Sequence, residues 1–188
     1  MSPGKHKTRL ARFLQCLLLS LVLSFPSHSL VADAFSDRRA YVGLKLFRTL
    51  LAADLDAPGK SGNTIYFVYA TDQALAEQHA KQYADNAPKA EDISLETIPL
   101  ERLISQKTQA GGVFVSQKLN GLELDTLVNY AKRQHVITFS PYEGDVEAGV
   151  LGGLAVEATI KPYINVNTLS LSAVNIKSFY LKVAKLYE

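Results

Sequence analysis

The chain has 188 residues, of which 47% are hydrophobic and 20% are charged. Those proportions are ordinary for a folded soluble protein, and the length fits one domain with a well-packed core, so a disordered chain is excluded. The formal net charge of +2 falls to −1 without residues 1–34, because that segment holds four of the 20 basic residues and one of the 18 acidic residues. The remaining sequence gives no reason to expect a nucleic-acid partner.

Residues 1–34 have the layout of a secretory signal peptide. Basic residues precede an apolar run at residues 16–25, which Pro26 ends. The run is about half the ~20 residues that a membrane-spanning helix needs, so a cleaved signal is favoured over a membrane anchor. Cleavage is expected after Ala34, with Ser29 as the second candidate. The product is expected in the periplasm as one domain, residues 35–188.

The exported domain is expected to contain no cysteine. The one cysteine of the chain is Cys16, inside the predicted signal. A disulfide and a thiolate metal site are therefore excluded for the mature protein, although its compartment would permit disulfides. Stability must come from packing, and a reductant should leave the unfolding midpoint unchanged.

Helical and strand patterns alternate along most of the predicted domain. Ser36 is suited to cap a helix over residues 37–53, and the unbroken apolar run at residues 64–70 predicts a central strand covered on both faces. The patterns that follow predict a helix from Thr71 and Asp72 to residue 87, whose inward residues are Ala74, Leu75, Gln78, Ala80 and Tyr83. A half-exposed strand at 93–98, a short helix at 99–107 and a buried strand at 111–116 come next. A helix at 122–134 then has Leu124, Leu127, Val128 and Ala131 inward.

The segment 136–176 is expected to close the sheet. A strand at 136–139 leads into a polar loop at 140–149, and strands at 150–157 and 160–164 form a hairpin before a helix capped by Asn165. A last helix is predicted at 178–187, with Phe179, Val183 and Leu186 on its apolar face. The whole pattern predicts a single three-layer α/β domain. Its sheet is mixed but mostly parallel, with a C-terminal β-hairpin and with helices on both faces.

Gly152 and Gly153 lie inside one strand of the predicted hairpin. Glycine weakens a strand, and it is usually found there where another part of the chain approaches closely. A helix is therefore expected to pack directly on the sheet at this point. Replacing Gly153 with Val is expected to cost roughly 1–3 kcal/mol through overpacking.

Short polar and aromatic side chains follow three of the predicted parallel strands. In open α/β sheets, ligands bind beyond the carboxyl ends of the strands. The side chains there form a candidate site for a ligand or a protein partner: Thr71, Asp72, Ser116, Gln117, Ser140, Tyr142, Glu143 and Asp145. The same residues would serve equally well as helix caps and turn residues.

The carboxylates of Glu143, Asp145 and Glu147 cluster on the polar loop. Carboxylates at this spacing can share acid–base work or bind Ca²⁺, but the loop lacks the ligand count of a cation site. A solvated loop is favoured, with recognition as the functional alternative. The double change Glu143→Gln with Asp145→Asn is therefore expected to alter stability by less than about 0.5 kcal/mol.

The sequence contains no motif that indicates catalysis or cofactor binding. No G-x-G-x-x-G follows a strand, and no serine lies in a nucleophile elbow. His79 and His135 are interpreted as structural residues, because neither has a second ligand at metal spacing. An enzyme, a cofactor and a metal ion are not expected.

Several segments together resemble a known family. They are A-Y-V-G-L-K-L-F-R-T-L-L at 40–51, G-V-F-V-S at 112–116, V-I-T-F-S at 136–140, G-V-L-G-G-L-A-V-E at 149–157, I-K-P-Y-I-N at 160–165 and V-N-I-K-S-F-Y-L-K-V-A-K-L at 174–186. With the signal peptide, they resemble the YfiR/HmsC-like periplasmic proteins across nearly the whole mature chain.

This resemblance implies a non-enzymatic periplasmic regulator. Its partner would be the periplasmic domain of an inner-membrane signalling protein such as a diguanylate cyclase, and its output would be control of cyclic-di-GMP and biofilm formation. The role is compatible with a homodimer. Two features depart from the family: the mature chain lacks the cysteines of redox-responsive members, and Pro162 and Tyr163 stand where an arginine–phenylalanine–glutamate pattern is common.

The ending N-x-x-T … I-K … L also resembles one lobe of the periplasmic solute-binding proteins of ABC transporters. Those proteins have two lobes, whereas the predicted mature domain of residues 35–188 allows one. This second resemblance implies a single-lobe solute-binding protein with a small-molecule ligand. Ligand-dependent thermal stabilisation would distinguish such a binder from a regulator that binds only protein.

Overall fold

The computed structural model describes residues 28–56, 63–86 and 93–188, and the side chains from residue 36 onward. The chain divides into a unit of Met1–Ser36 and a compact unit of Asp37–Glu188. The basic and apolar parts of the predicted signal peptide lie outside the described residues. The predicted cleavage position after Ala34 falls within the first described helix, which begins at His28.

Helices and strands alternate through most of the described chain, as predicted. In chain order they are α1 (His28–Ala52), β1 (Thr64–Tyr69), α2 (Gln73–Asp85), β2 (Ser94–Pro99), α3 (Leu100–Ser105), β3 (Gly112–Val115), α4 (Gly121–Gln134), β4 (Thr138–Ser140), β5 (Gly152–Val156), β6 (Ile160–Asn165), α5 (Val166–Leu171), α6 (Ser178–Val183) and β7 (Lys185–Tyr187).

The strands form one 7-stranded sheet in the order β2-β1-β3-β4-β5-β6-β7. Strands β2, β1, β3, β4 and β5 run parallel, β6 runs antiparallel to β5, and β7 runs parallel to β6. The predicted mixed, mostly parallel sheet with a β5–β6 hairpin is therefore confirmed. Helices connect the successive parallel strands from β1 to β4, which is the usual way to join strands of this kind.

Both faces of the sheet are covered by buried side chains, because adjacent residues of a strand point to opposite faces. Phe67 and Phe114 belong to a core shared with α1, α2 and α6. Val68 and Val113 belong to a second core shared with α3 and α4. The predicted three layers are confirmed. Full burial of each such side chain contributes about 1.5–3 kcal/mol.

Three helix starts follow from local capping signals. The Asp72 carboxylate accepts a hydrogen bond from the Leu75 backbone N–H at 2.9 Å, which caps α2. Asn120 and Glu123 form a reciprocal capping box at the start of α4. The Asn165 side chain caps α5 as predicted, by accepting from the Thr168 backbone N–H at 2.7 Å. Each cap satisfies a backbone donor that the helix itself leaves unpaired.

The predicted start of α1 is wrong, and the predicted inner face of α2 is confirmed for Tyr83 and, in part, for Ala80, which packs against the core. Helix α1 already begins at His28, so Ser36 lies inside it and caps nothing. No proline or glycine occurs between residues 28 and 36 to stop a helix. Helix α2 buries Ala76, His79 and Tyr83, whereas the other four residues predicted inward are exposed or half-buried.

The predicted C-terminal helix is also wrong in its length and in its buried face. Helix α6 ends at Val183, and residues 185–187 form β7, which pairs with β6. Phe179 and Leu186 are exposed, while the neighbouring Tyr180 is buried. Pairing with β7 satisfies backbone groups along the outer edge of β6. Because this is a contact between distant parts of the chain, the helical periodicity of residues 178–187 does not indicate it.

A clamp of hydrogen bonds joins the end of α1 to residues 175–177. The Leu55 N–H donates to the Asn175 carbonyl at 2.8 Å, and the Lys177 N–H donates to the Ala53 carbonyl at 2.9 Å. The Lys177 ammonium donates to the Ala52 carbonyl at 2.9 Å. The two bonds from Lys177 satisfy carbonyl groups at the end of α1, where the last turn of a helix leaves them unpaired.

Within the described ranges, no helix combines the length and the apolar character that crossing a membrane requires.

Candidate functional site

The parallel strands place all eight predicted site residues at one edge of the sheet, where β1, β3 and β4 end. Three of them form one cluster between β1 and β3. The backbone N–H groups of Thr71 and Asp72 donate to Gln117 Oε1 at 2.9 and 2.6 Å, and Gln117 Nε2 donates to Thr71 Oγ1 at 3.3 Å. Asp72 also caps α2. These side chains hold the two loops together, which matches their predicted alternative role as caps and turn residues.

The acidic loop, residues 142–149, is anchored to the sheet through Asp145. Asp145 is 1% exposed. Its carboxylate accepts a hydrogen bond from Ser140 Oγ at 2.6 Å and pairs with the Lys118 ammonium. Lys118 also donates to the Glu143 carbonyl at 2.8 Å. The interpretation of Asp145 as a solvated charge is therefore wrong, because a buried carboxylate persists only with partners of this kind.

Tyr142 fastens the start of the same loop to β3. Its phenol donates to the Ser116 carbonyl at 2.7 Å, and its backbone N–H donates to Ser140 Oγ at 3.1 Å. Burial, together with the nearby charges of Asp145 and Asp72, raises the pKa of Tyr142 to about 12. The phenol therefore stays protonated at neutral pH and remains a hydrogen-bond donor. We call Ser116, Lys118, Ser140, Tyr142 and Asp145 the anchor network.

The two adjacent glycines of β5 allow close approach on opposite faces of the sheet. A Cβ on Gly152 would lie 2.6 Å from Leu50 Cδ2 of α1, which confirms direct packing of a helix at this residue. A Cβ on Gly153 would lie 2.5 Å from Val146 Cγ2 and 3.0 Å from the Ser140 carbonyl oxygen. At Gly153 the close neighbour is thus the acidic loop and not a helix, which corrects the prediction for that position.

The outer side of the acidic loop borders a groove with a volume of about 160 Å³. Side chains from α1, the loop, β5, β6 and β7 line it, including Arg39, Glu143, Glu147, Leu154, Tyr163 and Lys185. Cavities of roughly 150 Å³ hold a molecule the size of benzene. The groove is therefore large enough for a small solute or for one end of a larger molecule.

Charged and aromatic groups interact along the β6–β7 wall of the groove. The Lys185 ammonium lies 3.1 Å from a carboxylate oxygen of Glu157 and 5.2 Å from the centre of the Tyr163 ring. This ion pair raises the pKa of Lys185 and lowers the pKa of Glu157. Burial raises the pKa of Tyr163, and the charge of Glu147 adds to that rise. At neutral pH the wall therefore presents an ammonium, a carboxylate and a neutral phenol.

The α1 side of the groove carries a guanidinium group. Arg39 Nε donates to the Pro141 carbonyl at 3.0 Å, which ties α1 to the loop that follows β4. Only Tyr142 and Glu143 of the predicted site residues line the groove. Arg39 and Lys185 were not predicted, because each looks like an ordinary exposed cation of a helix. Tyr163 carried a weak signal, since it departs from the pattern of the family that the sequence resembles.

His79 and His135 have structural surroundings. His79 packs against the Phe114 ring with 5.6 Å between ring centres. His135 caps α4 with φ of 54°, and its Nδ1 lies 2.9 Å from the Ser172 carbonyl oxygen. Among the side chains that the structure places, His, Cys, Asp and Glu residues nowhere gather in threes at distances suited to a metal ion.

Comparison with known proteins gives a likeness of fold. No family model matches the sequence, and no curated protein matches it. A solved structure described as the ABC domain in complex with L-Trp from Streptococcus pneumonia has a TM-score of 0.55 and 15% sequence identity, over 79% of this chain and 62% of that one.

Two further structures are similar over less of their own length. A ligand-free, open substrate binding protein with adhesive properties from Clostridium difficile has a TM-score of 0.55 and 13% identity, over 78% of this chain and 58% of that one. A conserved domain protein from Vibrio cholerae has a TM-score of 0.51 and 13% identity, over 68% of this chain and 55% of that one. The chain thus spans less than two thirds of each protein, and it has an α/β fold also found in substrate-binding proteins.

Proposed function

We propose that this domain is a non-catalytic binding protein whose ligand is a small polar solute. The observation that carries the proposal is the groove beside the acidic loop, which combines a volume of about 160 Å³ with charges of both signs and two tyrosines. Pockets for small molecules typically join an apolar lining to a few polar groups that fix the orientation of the ligand. The groove has such polar groups, and its accessible lining is mostly polar, with Leu154 and Val156 among its fewer apolar residues, so it suits a polar solute.

The location of the groove supports the same proposal. Parallel strands β4 and β5 end at this edge of the sheet, and α/β folds bind their ligands beyond such carboxyl ends. The printed descriptions of two similar structures name a complex with L-Trp and a substrate binding protein. They support solute binding as a class of function, as the second sequence resemblance implies, without naming the solute.

The surroundings of Ser140 support binding over catalysis. Its hydroxyl donates to Asp145, and the negative charge of Asp145 is already paired with Lys118. A serine nucleophile needs a base that is free to accept its proton. The geometry of the anchor network instead suits a rigid support for the groove.

We also propose a second function, regulation of an inner-membrane signalling protein from the periplasm, as the resemblance to YfiR/HmsC-like proteins implies. The observation that favours it is the exposure of two large apolar side chains on α6, Phe179 at 60% and Val183 at 61%. Exposed apolar groups of this size are typical of surfaces that bind another protein. If this surface binds the partner, Phe179→Ser should abolish association with the partner's periplasmic domain in a pull-down and leave solute binding intact.

The proposed solute binding is tested by thermal unfolding of the full chain with a panel of amino acids, organic acids, amines and sugars. A ligand that binds only the folded state adds RT ln(1 + [L]/Kd), or about 2.7 kcal/mol at a concentration of 100 Kd. At least one solute is expected to raise the unfolding midpoint. Failure of the whole panel to do so would overturn the proposal.

Two matched variants locate the binding site. Val156 lines the groove and is 50% exposed, so Val156→Trp should obstruct the groove without burying the new ring. Ile160 pairs with Val156 across the hairpin and is 45% exposed. Since it is not among the side chains that line the groove, Ile160→Trp is the control. The first change should abolish the stabilisation and the second should preserve it, whereas equal behaviour would place the ligand elsewhere.

A further inference from the structure

Strand β7 forms one edge of the sheet. Among the residues that the structure describes, β6 pairs with its inner side and no strand lies beyond it. A strand that is paired on one side has backbone N–H and C=O groups that point away from the sheet on the other side. Because such an edge can pair with another extended strand, β7 offers hydrogen-bonding groups to a second protein chain.

The other edge of the sheet, β2, is protected against such pairing. It carries the exposed carboxylate of Glu96 and ends at Pro99, and charges and prolines are typical of edge strands that do not pair further. Strand β7 contains no proline, and the ammonium of its Lys185 is paired with Glu157 at 3.1 Å. Of the two edges, β7 is therefore the one that is open to another strand.

The register of β7 shows which side chains flank this edge on each face of the sheet. Leu186 pairs with Ile164, which belongs to the core shared with α1 and α6. Since paired residues of neighbouring strands point to the same face, Leu186 lies on the α6 face, and Lys185 and Tyr187 lie on the opposite face. That opposite face carries the groove, because Lys185 lines it and the Tyr187 ring packs edge-on against Tyr163.

An apolar surface continues from β7 onto α6. Leu186, Val183 and Phe179 are all exposed. Only Ala184 separates α6 from β7, and Phe179 precedes Val183 by four residues, so the two side chains lie on the same side of the helix. Large apolar groups gathered in this way are typical of surfaces that bind another protein.

The side chains of β7 fit a second copy of the same strand. In a dimer with two-fold symmetry, antiparallel strands pair about one residue that lies opposite itself. Pairing about Lys185 would oppose two ammonium groups, and pairing about Tyr187 would place Leu186 opposite the carboxylate of Glu188. Pairing about Leu186 opposes two leucines and places each Lys185 opposite a Tyr187, where an ammonium and an aromatic ring attract each other.

We propose that a second copy of this chain pairs with β7 in the antiparallel direction about Leu186. The two sheets then form one continuous sheet, and Leu186, Val183 and Phe179 of both copies cover one another on its α6 face. A two-fold axis perpendicular to the sheet keeps equivalent faces on the same side, so the two grooves lie on one face of the dimer. This contact requires no ligand, so the inference goes beyond solute binding and does not depend on it.

The first test measures the association of the full chain by sedimentation velocity. A monomer–dimer equilibrium with a Kd of about 1–100 µM is expected, because a short strand with few side chains forms a contact at the small end of interface sizes. Leu186→Glu places two carboxylates opposite each other, so it should raise the Kd by at least about 10-fold. Leu122→Glu is the matched control, since Leu122 is an exposed leucine on α4, and it should leave the Kd unchanged.

The second test measures the register by cross-linking. Opposite residues of antiparallel strands have Cα atoms about 4.5–5.5 Å apart, which a disulfide can span. In a chain whose one cysteine is removed by Cys16→Ser, Leu186→Cys should therefore form a disulfide-linked dimer on mild oxidation. Tyr187→Cys in the same background is the control. It should not cross-link, because the two substituted positions would be diagonal neighbours about 7–8 Å apart.

The results separate this dimer from other contacts of the chain. A monomer at every concentration would overturn the proposal, and so would a dimer that Leu186→Glu leaves unchanged, since the contact would then lie elsewhere. If Leu186→Glu alters the circular dichroism of the chain, the cross-link decides, and equal cross-linking by Leu186→Cys and Tyr187→Cys would contradict the register. A monomeric chain in which Phe179→Ser still prevents binding of the signalling partner would assign the α6 surface to that partner instead.

Discussion

The two sides of the acidic loop put the same kind of side chain to different use. On the inner side, Asp145 is buried and both of its oxygens have partners, in Ser140 and Lys118. On the outer side, Glu143 and Glu147 are exposed along the groove. Asp145 lies only two positions from Glu143 and from Glu147, yet its carboxylate is satisfied within the protein while theirs are on exposed side chains.

This contrast shows why a cluster of acidic residues does not define a site by itself. A buried carboxylate is stable because its partners replace the water that it loses. Its charge is then committed to the fold, and it is not available to a ligand. Glu143 and Glu147 lie between solvent and the groove, so their charges remain available to a ligand. The proposed function depends on these exposed carboxylates.

The largest expected effect is a loss of folding stability at acid pH, which limits the pH range in which the two sides of the loop can be compared. His79 is 2% exposed, and burial lowers its pKa to about 4, against smaller opposing effects of the charges of Asp37 and Asp72. Between about pH 6.5 and about pH 4 the unfolded chain binds a proton that the folded chain does not, so stability falls as the pH falls. A shift of this size corresponds to about 3 kcal/mol.

Urea unfolding of the full chain near neutral pH and near pH 4 measures this loss. His79→Phe removes the titrating group, so its stability should fall less over the same range. Equal slopes for the two proteins would contradict the assignment of the acid sensitivity to His79. Tests of the groove carboxylates therefore belong near neutral pH, where the contribution of His79 to stability is fully retained.

The next effect separates the two sides of the loop directly. Asp145→Ala leaves the buried Ser140 hydroxyl without its acceptor and removes the partner of Lys118, so it should cost about 2 kcal/mol. Glu143→Gln on the outer side should change stability by less than about 0.5 kcal/mol. The earlier expectation that both positions tolerate substitution is thereby replaced. Similar unfolding midpoints in urea for the two variants would remove the distinction between the sides.

The smallest effect compares two glycines at the loop. A Cβ on Gly153 overlaps Val146, and Gly153→Ala should cost about 1–2 kcal/mol as the loop moves outward. Gly144 has φ of 85° but open space around it, so Gly144→Ala should cost about 1 kcal/mol from backbone strain alone. Thermal unfolding of both variants measures the costs. A larger loss for Gly144→Ala would mean that packing under the loop is loose.

The sheet and the starts of two helices could be predicted because their signals are local, whereas the cap predicted at Ser36 is wrong. The Phe67 strand is apolar throughout, and Asp72 and Asn165 immediately precede helices whose first turns they cap. The buried state of Asp145 could not be predicted in the same way. It depends on Lys118, which is distant in sequence and comes close only once β3 and β4 are paired.

The groove could not be predicted from the sequence, for the same physical reason. Its cations are Arg39 on the first described helix and Lys185 on the last strand, and neither differs from a solvated lysine or arginine until the fold brings them together. Strand β7 itself has a helical pattern in sequence, and pairing with β6 overrides it. Sequence therefore located the edge of the sheet that matters and only two of the side chains that line the groove, Tyr142 and Glu143.

The clamp at the end of α1 has a consequence for the order of events during synthesis. Its side-chain hydrogen bond from Lys177 to the Ala52 carbonyl joins residues 125 positions apart. Beside it, the Asn175 side chain donates to the Asp56 carboxylate, 119 positions away, at 2.8 Å. Contacts of such long range close late, because the entropy of the intervening chain opposes them. While the ribosome still holds residues 175–177, the strands from β1 to β4 can already pair, but α1 cannot be locked onto them at its C-terminal end. Until then, α1 is held on the sheet by packing alone, such as that of Phe47 against Phe114 and Phe139.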